Sequence, residues 1–314
     1  MSKTAFLFPG QGSQSVGMGR ELAAAFPIAR RTFEEANDAL GFDLAELCFH
    51  GPEDQLRLTE FTQPAIFTAS IAAVRVLAEA GATADYFAGH SLGEYSANVA
   101  AGAIEFAAAA RTVRRRGQLM QQAVPAGQGA MAAILGMQPG LVISVCQDAS
   151  REVGAPVEPA NMNAPEQTVI SGATAAVERA ISLAKERGAK RAVMLHVSAP
   201  FHCSLMQPAQ DALAPVLQGM AFSPAKHPVV VNVDAALVTD GGALRDALIR
   251  QVTGTVRWTE SMQLLIAEGA TRFVEVGPGK VLSGLLRQID RSQKCGHAED
   301  PASLEKVLEA LISS

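Results

Sequence analysis

The chain is 314 residues long, 48% hydrophobic and 18% charged, with a formal net charge of −5. That length suits one large domain, or one large and one small, with a sizeable core. The acidic balance argues against general nucleic-acid binding, and no uninterrupted apolar run reaches the roughly eighteen residues of a membrane span.

Ala5-Phe6-Leu7-Phe8, closed by Pro9-Gly10, is too short for a signal-peptide core and reads as a first buried strand. Met18 to Leu40 is largely helical in pattern, and Ala65 to Ala80 is a strongly apolar helix opened by Thr62-Gln63-Pro64. Tyr86 to Ala88 reads as a strand and Ala103 to Val124 as a long helix. From Pro125 the rhythm changes. Ala130–Leu135 strand, Leu141–Arg151 helix, Val157–Asn161 strand, Gln167–Ser171 strand, Ala173–Arg187 helix and Lys190–His196 strand give the order βαββαβ, which is ferredoxin-like. Val229–Val231 and Phe273–Val276 add two further apolar strands. Short apolar strands between helices predict an α/β fold with a mostly parallel sheet. Pro125-Ala126-Gly127 and Ala199-Pro200 read as joints, so residues 1–125 and 200–314 form the large part and 126–199 an inserted small one. Four scattered cysteines with no CxxC pair suggest reduced thiols in a cytoplasmic protein. No His/Cys cluster has metal-ligand spacing, so no metal is expected.

The chemistry is announced by Gly89-His90-Ser91-Leu92-Gly93, which has the spacing of a nucleophile elbow between the strand and a helical run from Glu94. A tight turn there pushes the Ser91 hydroxyl out of the sheet toward the positive end of a helix. A surface serine in a glycine-rich turn is the bland alternative. A nucleophilic serine needs a base. Of six histidines, His202 leads because Ser198-Ala199-Pro200-Phe201-His202-Cys203 lies at a joint, where functional residues collect. His196 sits in an apolar strand pattern, His50 and His227 in loops, and His297 in a polar tail. Acyl chemistry also needs an oxyanion hole. The Leu92 amide is one candidate donor, and the loop Phe8-Pro9-Gly10-Gln11-Gly12-Ser13-Gln14 suits the second, with a plain turn as the other reading. In Arg111-Thr112-Val113-Arg114-Arg115-Arg116-Gly117, helical spacing puts Arg111, Arg114 and Arg115 near one wet face, with Arg116 turned about 100° inward from Arg115. A buried arginine wants a carboxylate from the protein or a substrate. Gly277-Pro278-Gly279-Lys280 lacks phosphate-loop spacing and reads as a strand–helix turn.

Several motifs then fall in one family's order: Gly10-Gln11-Gly12-Ser13-Gln14, Thr62-Gln63-Pro64-Ala65, Gly89-His90-Ser91-Leu92-Gly93-Glu94, Arg116-Gly117, Asn161-Met162-Asn163-Ala164-Pro165, His202-Cys203 and Glu275-Val276-Gly277-Pro278-Gly279-Lys280. Together they resemble the malonyl-CoA:acyl carrier protein transacylases of type II fatty-acid synthesis. The resemblance implies an α/β-hydrolase-like large subdomain carrying a ferredoxin-like small one. It implies that Ser91 is the nucleophile, His202 the base and then the acid, and the backbone carbonyl of Gln251 the group orienting the imidazole. The amides of Gln11 and Leu92 would form the oxyanion hole, and Arg116 would pair with the free carboxylate of malonate. Gln63, Asn161 and Asn163 match positions near the pocket, and Phe201 is expected to narrow it. The implied reaction is ping-pong and needs no cofactor. The partners are malonyl-CoA and an acidic acyl carrier protein, with no membrane or nucleic acid, and a monomer is expected. Arg114, Arg115, Lys185, Arg187, Lys190 and Arg191 are the candidate basic face for the carrier.

Two rivals remain at this point. A serine hydrolase would need Ser, acid and His in that order, which Ser91, Asp234 and His297 satisfy only by number. A non-catalytic or relaxed-specificity homologue in another pathway is the second.

Overall fold

The computed structural model describes residues 2–195 and 197–312. The strands are β1 (Lys3–Phe8), β2 (Tyr86–Gly89), β3 (Gly129–Leu135), β4 (Val157–Ala164), β5 (Gln167–Ala173), β6 (Arg191–Met194), β7 (Val229–Val231), β8 (Ala236–Val238), β9 (Ala270–Val276) and β10 (Cys295–Ala298). Six form one sheet in the order β10-β9-β1-β2-β7-β8, parallel except for the β7–β8 hairpin. Buried on both faces, its central strands are near-continuous apolar runs such as Ala5 to Phe8. The other four form an antiparallel sheet, β4-β5-β3-β6, which is the ferredoxin-like order for βαββαβ. It has its own core, in which Ile134, Val145, Ile170 and Val177 meet. The fold is therefore an α/β-hydrolase-like parallel sheet with a ferredoxin-like unit inserted.

The two sheets are stitched beside one segment. Met162 N–H donates to Val256 O at 2.9 Å, Val256 N–H to Ala160 O at 2.8 Å, and Thr255 Oγ1 to Pro159 O at 2.7 Å. Trp258, fully buried, lies two residues after Val256.

Several expected elements shift. The Met18–Leu40 pattern is two helices, Arg20–Ala25 and Pro27–Leu40, because Phe26 is extended and Pro27 stands at the first helical position, where its missing N–H costs nothing. The apolar helix runs Thr59–Glu79, so Pro64 lies inside it rather than opening it. Its added first turn is held by Thr62 Oγ1 donating to Leu56 O at 2.6 Å. By length and composition this helix could cross a membrane, yet 78% of its apolar window is buried within the fold. The long helix runs Phe106–Gln122, capped by the Glu105 carboxylate on the amides of Ala107 and Ala108. His297 stands in edge strand β10, not in a polar tail, because β9 offers a parallel partner that no local pattern announces. His196 lies outside the described residues. All four cysteines are free thiols.

Gly89 and Gly93 set the turn after β2. A Cβ on Gly89 would lie 1.9 Å from the Gly93 carbonyl, and one on Gly93 2.1 Å from Phe8 O. Gly89→Ala is expected to lower unfolding free energy by about 3 kcal/mol through overpacking; urea denaturation measures it, and an unchanged midpoint would show that the turn yields freely.

Candidate active site

Ser91 sits between β2 and the helix Gly93–Ala100 with φ of 52°, in the left-handed region that costs a non-glycine residue about 1 kcal/mol or more. The strain is held by bonds. Asn232 Oδ1 accepts the Ser91 N–H at 2.7 Å, and Asn232 Nδ2 donates to Gly89 O at 2.8 Å. Asn232 follows β7, which lies beside β2, so the neighbouring strand end clamps the turn.

The Ser91 hydroxyl lies 2.7 Å from His202 Nε2. His202 Nδ1 is 2.8 Å from Gln251 O. A carbonyl only accepts, so Nδ1 carries the proton and Nε2 is free to receive one from Ser91. His202 is itself left-handed, φ 59°, and 3% exposed. Burial, and then the nearby Arg116 charge, push its pKa down to about 3, against the pull of the Gln251 carbonyl. The imidazole is therefore neutral and able to act as a base at neutral pH.

Arg116 falls on the buried stripe Ala109, Val113, Arg116, Met120 of its helix and is 1% exposed. It donates to Gln63 Oε1 at 2.9 Å, Gln251 Oε1 at 3.0 Å and Ser91 Oγ at 3.1 Å. All three acceptors are neutral. Burial works against its charge, but a guanidinium stays protonated. Arg111 and Arg115 are exposed as expected. Arg114 is not, because its guanidinium lies over the Phe42 ring and donates to Leu40 O at 2.9 Å.

A cavity of about 240 Å³ opens onto Ser91 and is lined by Gln11, Gln63, Leu92, Arg116, Asn161, Asn163, Phe201 and His202. Asn163 Oδ1 accepts from His90 Nε2 at 2.8 Å. Gln251, fully buried, stands behind His202 rather than in the cavity wall. The rival triad is not assembled. Asp234 pairs with Arg250 at 2.6 Å, and His297 with Glu299 at 2.9 Å. The ligand atoms of His297, Glu299 and Asp300, which lie within four consecutive residues, do come within 4.8 Å of one another. The Gly277–Lys280 turn precedes the helix Val281–Ile289, whose Leu282 and Ser283 amides are taken by the Glu275 carboxylate, so no phosphate cradle remains there.

The acyl transferase domain family matches residues 5–307. A Bacillus subtilis malonyl CoA-acyl carrier protein transacylase is 50% identical over 99% of this chain and 98% of its own length. The Escherichia coli K12 protein of the same name is 48% identical over 98% of this chain and all of its own. The solved transacylase of Coxiella burnetii superposes with a TM-score of 0.96 at 43% identity, covering 99% of this chain and 98% of that one. A malonyl-transacylase solved with its type II PKS acyl-carrier protein is 46% identical, TM-score 0.95, over the full length of both chains.

The chain belongs to this transacylase family.

Further polar groups lie beneath Ser91, and residue patterns gave no role to Asn232, Glu94 or the Gln251 side chain. Glu94, the Gln251 side chain and Asn232 form a buried network beneath Ser91: Gln251 Nε2 donates to Ser91 O at 2.9 Å and to Glu94 Oε2 at 2.7 Å. The available signal was position. Asn232 ends a parallel strand next to the elbow strand, where α/β sites gather.

His202 bound to Gln251 O should stay uncharged well below the ordinary histidine value. Because its folded value is depressed, the imidazole resists protonation between pH 6.5 and about 3, and the fold loses stability from this group as pH falls through that window. Nitrogen-15 NMR of His202 is expected to show the neutral ring at pH 5; a midpoint near 6.5 would mean that the ring is not sealed in.

Proposed function

We propose that the protein transfers a malonyl group from malonyl-CoA to the phosphopantetheine thiol of an acyl carrier protein, supplying extender units for fatty-acid synthesis. The observation that carries this is the convergence on one cavity of Ser91, neutral His202 and an Arg116 hydrogen-bonded only to neutral oxygens. The names of the relatives support the same donor and acceptor.

Ser91 Oγ attacks the thioester carbonyl as His202 Nε2 takes its proton. The Gln11 and Leu92 amides, at the cavity wall, receive the developing oxyanion. Collapse expels CoA, protonated by His202, and leaves a malonyl ester on Ser91. The carrier thiol then loses its proton to His202 and attacks the ester, and the departing Ser91 oxygen takes that proton back from His202. Gln251 O holds the imidazole in the tautomer both halves need. Arg116 exchanges a neutral acceptor for the malonate carboxylate, a charge-assisted contact worth about 1.5–3 kcal/mol. An acetyl group would leave that cation unpaired, so selection rests on polar pairing rather than size. Gln63 aims Arg116, and Asn161 and Asn163 line the substrate's path.

The enzyme acts as a cytoplasmic monomer in this reading, with residues 126–199 as its small subdomain. A basic face receives the carrier. Arg187 and Lys190, though exposed, are engaged with Asp148 and Glu166, and Arg114 with Leu40 O, so Arg115, Lys185 and Arg191 are the leading candidates.

Intact-mass spectrometry with malonyl-CoA is expected to show an adduct on the wild type and none on Ser91→Ala. Holo carrier protein should discharge it, more slowly as salt rises, while loading from CoA changes little. An adduct cleared by water and not by carrier would favour a hydrolase.

Arg116→Ala is expected to lower malonyl loading about 10- to 100-fold while acetyl loading falls less, read from single-turnover rates. Phe201, buried at the cavity wall, disfavours a branch at C2. Phe201→Ser should raise methylmalonyl relative to malonyl turnover, and no gain would reduce Phe201 to packing.

A further inference from the structure

One buried ionisable group has no part in the steps above. Glu94, the second residue of the helix Gly93–Ala100, is wholly buried. Packing alone does not call for a carboxylate there, because burying one costs several kcal/mol unless its bonds repay it. Its Oε2 accepts the Asn232 N–H at 2.9 Å and Gln251 Nε2 at 2.7 Å. Those are the two residues that hold the working parts. Asn232 clamps the Ser91 turn. Gln251 orients His202 through its backbone and bonds Arg116 through its side chain.

An amide has two unlike ends, and only one of them suits a guanidinium. When ionised the carboxylate is acceptor-only and takes the NH₂ end of Gln251, so the oxygen end faces Arg116. The Ser91 carbonyl at 2.9 Å and Asn232 Oδ1 at 3.3 Å accept from the same NH₂, so Glu94, at 2.7 Å, is the shortest of three acceptors that hold the amide, and its loss weakens that hold. A turned amide would oppose its NH₂ to the guanidinium, and Arg116 would lose a partner and its aim. We propose that Glu94 is a positioning residue that sets the preference for carboxylate-bearing acyl groups by fixing the Gln251 amide toward Arg116. The proposal rests on the malonyl-transfer reading. Burial holds the Glu94 pKa up at about 7, with the Asn232 and Gln251 bonds and the Arg116 charge pulling the other way, so these contacts keep a share of the carboxylate ionised at neutral pH.

The test compares single-turnover loading of Ser91 from malonyl-CoA and from acetyl-CoA in the full-length protein, followed by intact mass. Glu94→Ala is expected to cut the malonyl-to-acetyl ratio about tenfold or more. Glu94→Gln keeps an acceptor oxygen for the Gln251 NH₂ and is expected to hold the ratio within about threefold of wild type. A merely structural role would slow both donors alike, and an unchanged ratio in Glu94→Ala overturns the proposal. So does a loss in Glu94→Gln as large as that in Glu94→Ala. If Glu94→Ala does not fold, Glu94→Asp, one methylene too short to reach Gln251, must lower the ratio; an unchanged ratio there overturns the proposal equally. A wild type with no malonyl preference would instead overturn the functional reading.

Discussion

A guanidinium that cannot shed its charge lies buried with only neutral oxygens for partners. Desolvating such a cation costs several kcal/mol. Bonds from a charged donor return about 1.5–3 kcal/mol each, but the Arg116 Nε finds no partner among the described residues. The guanidinium therefore has no carboxylate among its hydrogen-bond partners, and in the proposed reaction a substrate carboxylate takes that place. This arrangement discriminates by what is left unpaired, which a cavity of suitable size cannot do by shape alone.

Holding that cation next to a nucleophile requires parts from distant stretches of chain. Arg116 comes from the long helix, Ser91 from the turn after β2, His202 from the exit of the inserted unit, Asn232 from the residue after β7, and Gln251 from the end of a later helix. Gln251 is the junction: its backbone serves the base and its side chain serves the cation. Ser91 and His202 both sit at positive φ, and strain of this kind persists only where the surroundings over-determine it. The stitching of β4 to Val256 fixes the antiparallel sheet against the same region, so Asn161 and Asn163 are delivered to the cavity by the strand whose neighbours make that seam.

The legible parts of the sequence are those carried by local pattern. The elbow is written in a few consecutive residues, and the βαββαβ insert in alternating periods of two and 3.6. Arg116 could be set apart from its neighbours because a helix turns about 100° per residue. Arg114 could not, because its partner Leu40 lies in another helix. Strand β10 was hidden for a related reason: Cys295 to Ala298 has no apolar alternation, and its strand character comes from pairing with β9. Pro64 marks a helix start by local rule, yet tertiary packing extends the helix back to Thr59. Glu94 stood inside the most informative motif without declaring a role, since its partners at 232 and 251 meet it only after the sheet has formed.

The neutral base and the permanent cation impose one further consistency. Arg116 helps depress His202, which keeps the imidazole unprotonated and ready, but also makes it a weaker base. A carboxylate paired with Arg116 cancels part of that field. The imidazole thus gains proton affinity when an acyl group bearing a carboxylate is seated, and not when a neutral one is. In the proposed reaction, the same ion pair that admits the substrate would strengthen the base that acts on it. Selection and activation are two effects of one electrostatic change.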